Sequence, residues 1–123
     1  MTTPEWPHVQ RLLDDLDDPG WRIRSRAARG LGEIGEGRAV VQLLRALGDR
    51  SAAVRREAAG ALGRIRDGRA VGPLVAALGD ADDEVSTRAA EALKRFGEAA
   101  FAPLLDAFKG GSPRIRHAVI GVI

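Results

Sequence analysis

The stretch RAVVQLLRAL at 38–47 returns as RAVGPLVAAL at 69–78, thirty-one residues later. An internal period of this length confines a chain to stacked copies of one small unit, each touching only its neighbours. The period extends well beyond that stretch. Asp18, Asp49 and Asp80 share one column, Ile23, Val54 and Val85 the next, and then Ala27, Ala58 and Ala89. Leu31, Leu62 and Leu93 follow, then Ile34, Ile65 and Phe96, and the unit closes on Leu16, Leu47, Leu78 and Phe108.

Within each copy the spacing is helical. Ile23, Ala27, Leu31 and Ile34 advance by four, four and three, one stripe of a 3.6-residue helix. A second helix carries Val40, Leu43, Leu44 and Leu47, and again Val71, Leu74, Val75 and Leu78. No stretch alternates with the two-residue period of a strand. The sequence therefore predicts an all-α fold, a right-handed α-solenoid of stacked antiparallel helical hairpins. The expected layout is a lone second-type helix in 1–16, repeats at 17–47, 48–78 and 79–108, and an incomplete repeat at 109–123.

Punctuation agrees with these limits. Ser51, Asp82 and Ser112 stand three residues before a helix's first apolar anchor, where a side-chain oxygen caps orphan amides. Pro113 suits a first helical turn. Gly32, Gly35, Gly37, Gly63, Gly68 and Gly97 read as inter-helix exits, where positive φ is needed. Gly30 and Gly60 fall inside helices, and the run Ala58-Ala59-Gly60-Ala61 predicts close helix approach there.

Composition excludes several classes. With 45% hydrophobic and 29% charged residues the chain has the make-up of a folded globular protein, and no apolar run nears the roughly 20 residues that span a bilayer. The first ten residues show no secretory pattern, so a cytoplasmic location without membrane association is expected. Cysteine is absent, which removes disulfides and thiolate chemistry. His8 and His117 lie in opposite terminal helices, far from metal-ligand spacing. Asp14-Asp15, Asp17-Asp18 and Asp82-Asp83-Glu84 flank helix starts, where negative charge suits the helix dipole. No metal, no cofactor and no catalytic constellation are expected.

The run Asp49, Val54, Arg55, Ala58, Ala59, Ala61, Leu62, Gly63, Ile65, then Gly68, Arg69, Ala70, Val71, Pro73, Leu74, Ala77, Leu78, resembles the short HEAT-like repeats of bacteria and archaea. That family includes the repeats of phycobilin lyases and of artificial alpha-helical repeat libraries. The resemblance implies a ladder of turn aspartates and arginines between units, here Asp18, Asp49 and Asp80 with Arg24, Arg55 and Arg116. Ser86 stands where the third repeat should carry arginine, so a rung is expected to be missing and the 48–78/79–108 junction to be more pliable. HEAT-like deoxyhypusine hydroxylases use paired His-Glu iron ligands, and no His-Glu pair occurs here.

Three surfaces remain as candidates. Second-type helices usually line the concave side of a solenoid, which places Gln10, Asp14, Val41, Gln42, Arg45, Ala76 and Asp106 on a protein-binding face. Arg22, Arg26, Arg29, Arg56 and Arg64 form a convex stripe of the kind that can follow a phosphate backbone. At the C-terminus, Ile115, Val119, Ile120 and Ile123 are expected to face solvent, implying either self-association into a homodimer or a fragment of a longer array. The leading reading is a non-catalytic protein–protein interaction scaffold with a protein partner. The alternatives are nucleic-acid binding through the arginines, or a regulatory or lyase-associated subunit of a larger complex.

Overall fold

A computed structural model describes residues 6–123; the reading of the extreme N-terminus rests partly on residues 1–5, which lie outside it. Among the described residues every regular element is helical. The helices are α1 (Trp6–Asp15), α2 (Trp21–Ile34), α3 (Val40–Ala46), α4 (Ala52–Ile65), α5 (Val71–Ala77), α6 (Asp83–Phe96), α7 (Phe101–Gly110) and α8 (Pro113–Val122). Single turns of 3₁₀ helix at Gly37–Ala39, Gly68–Ala70 and Gly97–Ala100 lead into α3, α5 and α7.

The predicted stripes supply most of the core, although Ile23 and Ile34 on α2 are 40% and 42% exposed. Leu31, Leu62 and Leu93 on the first-type helices are at most 1% exposed, as are Leu43 and Leu74 on the second-type helices. Each such leucine contributes about 1.5–3 kcal/mol of burial. The first-type helices α2, α4, α6 and α8 pack in a row, and each second-type helix approaches the first-type helix that follows it more closely than the one before. In backbone terms the chain thus consists of four helix pairs, α1/α2, α3/α4, α5/α6 and α7/α8.

The aspartate column precedes α2, α4 and α6. Asp18, Asp49 and Asp80 each accept the N–H two residues on, of Gly20, Ser51 and Asp82, at 2.8 Å. Asp82 and Ser112 cap α6 and α8 through the N–H of Val85 and Ile115. Ser51 occupies the cap position of α4 but its hydroxyl makes no cap bond; Asp49 already turns the backbone there.

The glycines differ from expectation. A Cβ on Gly32 would lie 2.6 Å from the Ala61 Cα, and one on Gly63 would lie 2.7 Å from the Ala92 Cβ. These two, expected at helix exits, are where α2 meets α4 and α4 meets α6. Gly60 has open space around it and Gly30 meets only the Leu12 side chain. Helical phase explains the exchange: Gly32 and Gly63 sit beside Leu31 and Leu62 on the face turned to the next helix. Positive φ is used at Gly35 (75°) and Gly97 (59°), and at the equivalent Arg66 (56°).

The C-terminal helix corrects a further expectation. Val119 is fully buried and Ile115 half-buried, because α8 continues the first-type row and packs on both α6 and α7. Ile120 and Ile123 do face solvent, at 65% and 69% exposure.

Candidate interaction surface

The ladder arginines are structural. Arg24 donates Nε and Nη2 to the two Asp49 oxygens at 2.9 and 3.0 Å, and its Nη1 reaches the carbonyls of Asp18 and Pro19. Arg55 repeats this with Asp80, at 2.9 and 3.2 Å, and with the Asp49 carbonyl at 2.7 Å. Such forked pairs fix two groups in both distance and plane. Burial pushes the Asp49 carboxyl up, yet the hydrogen bonds from Arg24 and the Ser51 N–H hold it below its ordinary value.

Each rung ties an arginine to the aspartate of the following unit. The 48–78/79–108 junction, expected to lack a rung, therefore holds the Arg55–Asp80 pair. The gap falls one junction later, where the two columns carry Ser86 and, at the thirty-residue offset of the shortened third repeat, Gly110. Both partners are replaced there together, so no charge is left buried alone. Ser86 Oγ instead donates to the Leu78 carbonyl at 2.8 Å, and Arg114 Nη1 reaches the Asp80 carbonyl at 2.9 Å. Arg116 makes no ion pair among the described residues.

Two hollows sit along the edges of the second-type helices. The first, about 140 Å³, is lined by Leu16, Asp17, Gln42, Arg45, Ala46 and Asp49. The second, about 320 Å³, is lined by Leu47, Gly48, Pro73, Ala76, Ala77, Gly79 and Asp80. All six positions of the first recur thirty-one residues on in the second, so this is one hollow built twice. Pro73 and Ala76 in place of Gln42 and Arg45 make the second roomier and less polar. The structure thus gathers Gln42 and Arg45 in one hollow and Ala76 in the next. Gln10, which donates to Asp14 at 3.1 Å on α1, the half-exposed Val41 and Asp106 on α7 lie outside both. Sequence reasoning missed the hollow walls Asp17, Asp49 and Asp80, whose sign was the aspartate column itself.

The convex arginines are interleaved with acids. Arg29 Nη2 pairs with Glu57 at 2.9 Å, and Arg56 forks onto Asp82 at 3.1 and 2.8 Å. The Arg22 guanidinium lies 4.7 Å above the Trp21 ring, a cation–π contact. Arg26 and Arg64 alone of the stripe have no such partner among the described residues. What remains is a surface of mixed sign.

These pairs carry a pH dependence. The Arg56 fork, helped by the Val85 N–H, holds the Asp82 carboxyl at about 2, below its ordinary 3.8. A depressed carboxylate stabilises the fold fully above its unfolded value and loses that contribution as pH falls through the folded one. Thermal midpoints should be flat above about pH 5 and fall between about pH 4 and 2, with R56M flattening part of that slope. A midpoint unchanged down to pH 2 would contradict the pairing.

With this geometry in hand, the relatives can be placed. A family model of HEAT repeats matches residues 9–94 and 40–123. A chain from the complex of CpcE and CpcF of phycocyanin lyase from Nostoc sp. PCC7120 superposes with a TM-score of 0.72 at 27% identity. That match covers 99% of the present chain and 52% of the other, so the present chain spans about half its length. An engineered protein matches with a TM-score of 0.62 at 24% identity over 91% and 59% of the two chains. A designed armadillo repeat protein matches at 0.63 and 22% over 93% and 62%. No curated protein matches. Among the described residues no helix is long and apolar enough to cross a membrane, and no group of three or more His, Cys, Asp or Glu could hold a metal ion. The stacked helix pairs, the repeating aspartate–arginine rungs and the family match together place this chain in the family of HEAT repeats.

Proposed function

We propose that the chain is a non-catalytic protein–protein interaction scaffold that holds its partner along the second-type helices. The observation that carries this reading is the hollow built twice at one register with different walls. A repeating pair of sites one repeat apart suits a partner segment that presents side chains at a matching interval. The first site offers Asp17, Gln42 and Arg45 to a polar side chain; the second offers Leu47, Pro73 and Ala76 to a small apolar one. The likeness to a chain from the complex of CpcE and CpcF supports a role beside a protein partner. The acids threaded through the arginine stripe weaken the case for nucleic acid, since they offset the attraction that a phosphate backbone requires.

Affinity capture with the wild-type chain, R45E, A76E and a control, R64E, tests this. The partner should be retained by wild type and R64E and lost by about tenfold or more from R45E and A76E, a change equal to about 1.4 kcal/mol. Equal capture by all four chains would remove the second-helix surface from consideration.

A further inference from the structure

The face formed by α7 and α8 departs from the rest of the solenoid. Phe101, Leu105 and Phe108 on α7 are 55%, 38% and 36% exposed, and Ile120 and Ile123 on α8 are 65% and 69% exposed. Their columns are core elsewhere. Phe101 corresponds to Val40 and Val71, at 0% and 7%, and Ile123 corresponds to Leu31, Leu62 and Leu93, at no more than 1%. Beside these side chains lies a groove of about 550 Å³, walled on one edge by Lys94 and Glu98. Both charges are exposed, and neither makes an ion pair among the described residues.

We propose that this end face is an interface to a second copy of the chain, α7/α8 against α7/α8 about a two-fold axis. Two features select that occupant. The five side chains leave on the order of 500 Å² of apolar surface exposed, over half of the roughly 800 Å² per partner that a stable interface needs. One unpaired cation and one unpaired anion on a single wall are self-complementary under a two-fold rotation, which sets Lys94 of one copy towards Glu98 of the other. The opposite end of the solenoid is a poorer match. His8 stands there in the column of the buried Ala39, Ala70 and Ala100, and Arg22 lies over Trp21. The apolar face would have to desolvate those groups. This interface is separate from the second-helix hollows, so either reading can fail without the other.

The test is molar mass in solution over a dilution series, by light scattering and sedimentation. Wild type should form a dimer that dissociates on dilution. I120K/I123K, altered where the side chains are already exposed, should raise the dissociation constant at least about tenfold while keeping its helical circular dichroism. K94E and E98K should each weaken the dimer, because each sets like charges together. An equimolar mixture of the two should restore it as a heterodimer, since each contact is then Glu to Lys. A wild type monomeric at about 200 μM, well above a micromolar dissociation constant, would overturn the proposal. So would a dimer indifferent to I120K/I123K, or a mixture no tighter than its components. Growth without limit at rising concentration would overturn the two-fold arrangement in favour of a head-to-tail contact.

Discussion

Replacing Gly63 with valine should lower stability by about 3 kcal/mol, the upper part of the overpacking range, seen as an earlier urea midpoint. The added Cβ would fall 2.7 Å from the Ala92 Cβ and 2.9 Å from the Ala92 Cα, and backbone cannot swing aside as a flexible side chain can. To relieve the clash α4 and α6 must separate, which loosens contacts along both helices. Gly60 is the internal control, one turn away on the same helix, with no atom within 4 Å of an added Cβ. G60A should stabilise by about 0.5–1 kcal/mol, because alanine is the better helix former and meets nothing. Equal effects at the two positions would show that helix propensity, not inter-helix distance, governs this row. For a domain stable by about 5–15 kcal/mol, the Gly63 change alone is a large fraction of the total.

Removing a rung should be comparably damaging. R24A should cost about 3 kcal/mol, near the low end for a pair whose side chains are 9% and 15% exposed. The loss leaves the Asp49 carboxylate half-enclosed without its fork and the Asp18 and Pro19 carbonyls without their donor. R24M/D49L should recover part of that loss, since an apolar pair of similar volume leaves no charge unpartnered. Recovery should remain partial, because Asp49 also accepts the Ser51 N–H. The readout is again the urea midpoint, with the slope compared to confirm that the unfolded state is unchanged. A double variant no better than R24A would locate the damage in the carbonyl bonds rather than in the ion pair.

The division between what sequence and structure decide runs along particular residues. Periods of 3.6 and thirty-one residues are written along the chain, so the helices, the stack and the leucine columns were legible from Ile23 to Leu93. The aspartate column was legible too, since its hydrogen bonds reach only two residues along the backbone. Contacts between units were not, because a column says which residues are equivalent and not which neighbour each one faces. Arg24 and Asp18 share a unit in sequence, yet the Arg24 fork grips Asp49 in the next, which moved the missing rung to Ser86 and Gly110. Gly32 and Gly63 looked like turn residues until the packing of α2, α4 and α6 showed how closely their backbones pass. Val119 looked exposed until α8 was seen to extend the first-type row. The hollow at Gln42 and Arg45 and its recurrence at Pro73 and Ala76 needed both kinds of information. Local periodicity set the elements, and the offset between successive helix pairs, which no single stretch of sequence carries, set what each side chain touches.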